Sequence, residues 1–278
     1  MQRIGVLTGH AQGFNLEALR FIVLQLNRLQ QSFEYEFLRT DDFDHPLLGA
    51  LRDGVTVVRD DVKAQTPSFL RAYTFHLTDK NAELSLLEPP PDYFVLFSLA
   101  RYADGFYSTR RGRMSVLALG NWDKWMAPPS IIEFALTLMV RESVAAVSPS
   151  LRGSVHLGTK GCLCDFTEYT DETRFKALSA FLCQFCRDAL TRDGVGGVAA
   201  DLLRILDKQW LGRRSDPGSP AGIMSKLGYD LFLTKGLQPS RWEKFVQTIQ
   251  KEGTKELLRL IAEVAIAGLL LWLGIKKS

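Results

Sequence analysis

The sequence predicts a mixed α/β fold of the α+β kind, a mixed sheet with packed helices, and three observations carry that expectation. Ile4–Leu7 is a short apolar run that reads as a strand, and a segment of helical spacing follows it. Phe33-Glu34-Tyr35-Glu36-Phe37 then alternates apolar and acidic residues, as a half-exposed strand does. Tyr93–Ser98 and Met114–Leu119 are two further strand-like runs, again followed by a helical pattern.

Each element follows from its residues. Asn15 is placed to cap the first helix, on which Leu19, Ile22, Val23, Leu26 and Leu29 recur at helical spacing. From Asp41 to Glu88 the reading is mixed helix and loop, closed by Pro89-Pro90-Pro91. Arg110, Arg111 and Arg113 read as a basic turn between the two later strands, and Gly120–Pro129 as a loop with two tryptophans. Ser130 caps an apolar helix from Ile131 to Val147. Asp171–Leu190 reads as one amphipathic helix with Phe175, Leu178, Leu182 and Phe185 on one side, and Val198–Leu211 as another. Gly212–Gly222 (GRRSDPGSPAG) has the composition of a linker. Helices over Ile223–Leu233, Ser240–Gln250 and from Thr254 onward complete the chain. The expected organisation is a body of residues 1–211, a linker of residues 212–222 and a helical tail of residues 223–278.

Composition sets outer limits. With 46% hydrophobic and 23% charged residues, the 278-residue chain is neither disordered, collagenous nor a multi-pass membrane protein. The net charge of +3 arises from 34 basic and 31 acidic residues spread along the chain, so no nucleic-acid partner is expected. The first ten residues lack a long apolar run, which predicts no secretory signal and a cytoplasmic location. No phosphate-binding or nucleophile-elbow motif is present.

All four cysteines fall in one short stretch, Cys162-x-Cys164-x18-Cys183-x2-Cys186. In a reducing compartment, clustered thiols more often hold metal than form disulfides. Cys183 and Cys186 are three apart on the predicted helix and leave one face. Cys162 and Cys164, two apart in an extended segment, point the same way. Four thiolates can thus converge on a zinc ion at about 2.3 Å each. The competing readings are buried reduced thiols packed as small apolar residues, and a redox pair. His156 reads as a packed or hydrogen-bonded side chain or as a replacement for one thiolate, and Asp165, beside Cys164, as an outer partner of the site or simply a turn residue or helix cap.

These residues carry a resemblance. Archaemetzincins, a branch of the metzincin metalloproteases, show HExxHxxGxxHC, then a C-x-M element and, further on, CxxC. Aligning His156 with the third histidine puts Gly153 on the motif glycine, Cys162 on the next cysteine and Cys164 on the methionine. Cys183 and Cys186 then fall on the CxxC with an offset of one residue. The stretch that resembles the family covers roughly residues 130–190. The family's catalytic positions fall on Ala146, Val147 and Ser150, and Leu157 stands where a cysteine follows the third histidine. None of these replaces a zinc-binding histidine or a general-base glutamate. The resemblance therefore implies a zincin-like mixed sheet with a structural zinc and no hydrolytic centre, a pseudoenzyme. Glu133 and Glu142, nine apart, are out of phase for rebuilding such a centre on one helix face. His10, His45 and His76 are scattered.

The tail is the one membrane-like segment. Leu257–Ile275 (LLRLIAEVAIAGLLLWLGI) holds only Arg259 and Glu263 as charges, and these are spaced to pair on a helix. Its length spans about 28 Å, near a hydrocarbon core. Leu257, Leu270 and Ile275 would face lipid, Trp272 an interface, and Lys276 and Lys277 would anchor the end. Glu263 is costly in lipid unless paired, or faces the lumen of an oligomer. Burial in the protein body or an oligomer, and interfacial binding, are the competing fates.

Three functions follow. The first is a non-catalytic protein with a structural zinc and a C-terminal helix that attaches it to the inner membrane. Cleavage of the linker by a partner protease would suit an effector of a bacterial antiviral defence system. The second is an active zinc metalloprotease with a rearranged site built on His156. The third is a soluble binding module whose tail helix is buried in the body or in a homo-oligomer.

Overall fold

The computed structural model describes residues 1–9, 11, 13–153, 156, 157, 161–167, 169–252 and 263. Along the chain run β1 (Gln2–Leu7), α1 (Leu16–Leu29), β2 (Phe33–Leu38), α2 (Pro46–Ala50), β3 (Thr56–Val57), α3 (Arg59–Glu83), β4 (Tyr93–Ser98) and β5 (Arg101–Tyr102). Then follow β6 (Ser108–Arg111), β7 (Met114–Ala118), α4 (Ile131–Val147), α5 (Pro149–Gly153), α6 (Thr170–Ser179), α7 (Gln184–Arg192), α8 (Val198–Leu206), α9 (Pro220–Lys226) and α10 (Arg241–Glu252). The fold is mixed α/β, as the sequence predicts.

The main sheet has the order β2-β1-β4-β7-β6. Pairing is parallel from β2 through β7, and β6 returns antiparallel at the edge. Strand β4 (YFVLFS) is buried at every position, the pattern of a central strand covered on both faces. Its side chains alternate between two cores. Tyr93, Val95 and Phe97 join one with α1 and α4, whereas Phe94 and Leu96 join a second with α2 and α3.

Local chemistry sets the helix starts. The Asn15 side chain accepts from the Ala18 N–H and begins α1, which buries Ala18, Leu19, Ile22, Val23 and Leu26. Each large aliphatic among them stabilises the fold by about 1.5–3 kcal/mol relative to exposure. Ser130 and Glu133 form a reciprocal capping box at the start of α4. That helix is buried from Ile131 to Ala145 except at Glu133, so Arg141 and Glu142 enter the interior with it.

The structure departs from the sequence reading at several places, among them the expected helix Ile223–Leu233, which is instead the shorter α9, Pro220–Lys226. The basic turn at Arg110 is instead the strand β6, hairpinned onto β7 through Gly112, whose φ of +58° suits glycine. The predicted helix Asp171–Leu190 is two helices, because Ala180 adopts a left-handed φ of 33° and the next residues pair with the cysteine loop. Leu182, in the link between them, is buried, but Phe175, Leu178 and Phe185 on the helices are exposed. Helix α8 stops at Leu206, before the left-handed Lys208.

Two units divide the chain, Met1–Gln238 and Pro239–Ser278. Residues 212–222, expected as a linker between units, thus lie within the first. There Ser219 caps α9 by accepting from the Gly222 N–H, Arg214 lies 2.5 Å from the Asp230 carboxylate, and Ala221 and Gly222 are buried. In the second unit α10 opens with Ser240, whose hydroxyl accepts from the Glu243 N–H at 3.2 Å. Among the described residues no helix is long and apolar enough to cross a membrane. Leu257, Leu270, Trp272 and Ile275 lie outside the described residues, and Glu263 is helical and exposed.

Candidate metal centre

The described residues between α5 and α6, and the short link from α6 to α7, are held by backbone links outside regular helices and strands. His156 bridges Asp165, and its carbonyl accepts from the Phe166 N–H at 2.9 Å. A turn follows in which the Asp165 N–H donates to the Cys162 carbonyl at 3.0 Å. Gly161 opens this turn with φ +95°, and any Cβ there would lie 1.9 Å from the Ser179 hydroxyl. The Leu163 N–H donates to the Phe181 carbonyl at 2.9 Å, which draws the start of α7 onto the turn. Cys183 is the N-cap of α7 and Cys186 lies in its first turn, where the helix dipole favours thiolates.

These links bring together His156, Cys162, Cys183 and Cys186, whose ligand atoms all lie within 4.8 Å of one another. The His156 Nε2 is 3.3 Å from the Cys183 Sγ and 3.2 Å from the Cys186 Sγ, and the Cys162 and Cys186 sulfurs are 3.8 Å apart. A tetrahedral ion bound at about 2.0–2.3 Å separates its ligands by roughly 3.5–3.8 Å. The cluster is therefore already close to the size of a coordination tetrahedron and is able to hold a metal ion. The other ring nitrogen, Nδ1, lies 3.4 Å from the buried Asp165 carboxylate, which leaves Nε2 to face the sulfurs.

Electrostatics within the cluster are uneven. The Cys162 thiol is lowered to about 5 by the Cys186 thiol and the Cys183 N–H, against its own burial. Donation to Cys162 and Cys164 pushes the Cys186 thiol up. Burial raises Cys183. Three thiols in this space share protons; a cation among them would release those protons and act as their common partner.

Cys164, expected beside Cys162 as a ligand, lies outside this group. Residues 161–164 form a turn rather than the expected extended segment, and although the Cys164 thiol hydrogen-bonds with Cys186, its sulfur is not among the four ligand atoms that lie within 4.8 Å of one another. Cys164 is fully buried next to the cluster, with its thiol lowered by Cys186. His156 takes the fourth position.

The residues at the family's catalytic positions are spent elsewhere. Ala146 and Val147 end α4, and the Ser150 hydroxyl donates to Asp193 at 2.6 Å. Glu133 is the capping-box residue. His45 caps α2, and His76 packs on Phe43 near Asp42. His10 lies outside the described residues.

Sequence reasoning missed one polar network. Arg110 grips the buried Glu142 carboxylate through Nε at 2.7 Å and Nη2 at 2.9 Å, and the Ser115 hydroxyl also donates to it. Tyr93 lies 2.6 Å from Ser115 and donates to it, since the serine proton is given to Glu142. Burial pushes the Glu142 carboxyl up, but Arg110, Arg141 and Ser115 outweigh it and hold it below the usual carboxylate range. The adjacent charges Arg141-Glu142 in an otherwise apolar helix were the available signal. No protein-family model matches the chain, no curated protein matches it and no solved structure matches it.

Proposed function

We propose that the protein is a non-catalytic, metzincin-like scaffold in which one structural zinc ion on His156, Cys162, Cys183 and Cys186 pins the loop before α6 to the start of α7. The carrying observation is the cluster's dimensions: three of its six edges are 3.2, 3.3 and 3.8 Å, and all four ligand atoms, on three buried or half-buried cysteines and one oriented imidazole, lie within 4.8 Å of one another. Three soft thiolates with one imidazole in tetrahedral array suit zinc. Four protein ligands leave no open position for a water or substrate, so the ion's role is structural. This also weighs against a rearranged protease, because His156, its expected ligand, is already used. Metal analysis of the purified chain tests the reading. One zinc per chain, lost on His156→Ala together with thermal stability, supports it; chelator-sensitive peptide hydrolysis would refute it.

The hydrophobic segment 257–275 adds a second part, carried by sequence alone. We propose that it attaches the scaffold to a membrane. Fractionation of cells expressing the full chain and a chain truncated before Leu257 checks this. The full chain is expected with membranes and the truncated one in the soluble fraction. If both remain soluble, the anchoring role is lost and burial of the tail within the protein or an oligomer takes its place.

A further inference from the structure

A cavity of about 260 Å³ opens between β6, α4, α6 and the loop at Asp165, and Asp165 is shared between it and the neighbouring sulfur cluster. Its walls carry six cations, Arg59, Lys63, Arg110, Arg141, Arg152 and Lys176, against only two acids, Glu142 and Asp165. Both acids are engaged, Glu142 by Arg110 and Asp165 by His156. Arg59 pairs with Asp104 and Lys63 with Asp60. Among the described residues Arg152 donates to backbone carbonyls, at Ala145 and Ala146. Arg141 gives one nitrogen to the Leu151 carbonyl. Among the described residues no carboxylate lies within ion-pair distance of Arg141 or Lys176, which are only 7% and 3% exposed, although Arg141 acts on Glu142 at longer range. Burying cations without a counter-charge is costly.

The hydrogen-bond inventory points the same way. Arg141 Nη1, the Thr109 hydroxyl and Arg59 Nε are buried donors without a hydrogen-bond partner, against one such acceptor, Asp165 Oδ1, and all four residues line this cavity. Native interiors rarely leave such donors unmet. The opposite wall is aromatic, with Phe106 stacked on Tyr107 at 5.1 Å and Phe166 at 6.4 Å from Phe106.

We infer that this cavity binds a small phosphomonoester, its phosphate held by Arg141, Lys176 and Thr109 and its organic part against Phe106 and Phe166. A phosphate offers three acceptor oxygens and close to two negative charges, which matches the unmet donors and the uncompensated cations better than a carboxylate does. The volume falls below the roughly 300–1,000 Å³ of drug-sized pockets, which suits a small molecule rather than a polymer. A zinc ion on three thiolates would carry a single negative charge, less than the cations present. The inference therefore does not rest on the zinc reading.

Calorimetric titration of the full chain at fixed ionic strength tests it, with inorganic phosphate and phenyl phosphate as probes. One saturable site per chain is expected, tighter for phenyl phosphate, weakened at least about thirtyfold by Lys176→Met and partly restored by Lys176→Arg. Absence of saturable binding, or undiminished binding in Lys176→Met, would overturn the site. Equal affinity for the two probes would overturn the aromatic contact. If Lys176→Met does not fold, Thr109→Val removes only the unmet hydroxyl and is expected to weaken binding about fivefold; unchanged affinity there contradicts the inference. Zinc content measured on the same samples scores the metal reading independently.

Discussion

Around Glu142 the protein buries a carboxylate and supplies its partners from its own side chains, two nitrogens of Arg110 and the Ser115 hydroxyl. Around Cys186 it gathers three thiols and an imidazole with no cation among the four. Both groups border the same run of chain after α4. The first is closed chemistry and contributes rigidity to the edge hairpin. The second could hold a positive ion at its centre, which would balance its thiolates. The contrast teaches that a buried polar cluster must be judged by whether its charges cancel, not by its burial.

Breaking the second cluster has the larger effect. Cys186→Ala is expected to abolish metal binding and to unfold the segment from His156 to α7, because metal-binding free energy at such sites is folding free energy, about 10–16 kcal/mol in small zinc domains. Loss of metal together with protease sensitivity confined to residues 156–192 would show it. Retention of both metal and protection would mean that the cluster is assigned wrongly.

Breaking the first cluster costs less. Arg110→Met leaves Glu142 buried without its counter-ion and should destabilise the chain by about 3–5 kcal/mol in denaturant unfolding. The double change Arg110→Met with Glu142→Leu should recover much of that loss. If it does not, the pair is not balanced internally as described. The pH dependence sharpens this. Because Glu142 is held below its ordinary value of 4.5 in the folded chain, it binds a proton less readily folded than unfolded. Its stabilisation is complete above that value and fades as pH falls through the lower, folded one. The stability gap between the natural chain and Glu142→Gln should therefore narrow on acidification below 4.5; a gap independent of pH would contradict the ion pair.

A smaller effect separates the ligands from their support. Asp165→Asn removes the charge facing His156 Nδ1 and should weaken metal affinity about 10–100-fold while saturating metal still fills the site. Competition with a chromophoric chelator reads this directly, and an unchanged affinity would remove Asp165 from the centre. Smallest of all, Cys164→Ala should keep full metal content and cost only about 1–2 kcal/mol of packing. Loss of metal in that variant would restore Cys164 as a ligand in place of His156.

The sequence carried the elements whose causes are local. Asn15 and Ser130 announced two helices through their caps, and β4 announced itself by an unbroken apolar run. What escaped was set by tertiary contacts. Residues 171–190 have continuous helical character, but the Leu163 N–H claims the Phe181 carbonyl and Ala180 takes a left-handed turn. Arg110 looked like a turn residue because its partner, Glu142, lies 32 positions away. The four-ligand centre was half legible. Its cysteines stood out by spacing, whereas choosing His156 over Cys164 depends on a turn whose direction no spacing encodes.

The central claim is that His156, Cys162, Cys183 and Cys186 enclose one metal ion. The most direct measurement is the absorption spectrum of the chain reconstituted with cobalt(II), alongside zinc content per chain, for the natural protein, Cys164→Ala and His156→Ala. The account predicts one ion per chain and tetrahedral cobalt bands with thiolate charge transfer, unchanged in Cys164→Ala and altered or lost in His156→Ala. A folded, metal-free chain with four titratable thiols, or a spectrum that changes with Cys164 and not with His156, would contradict it.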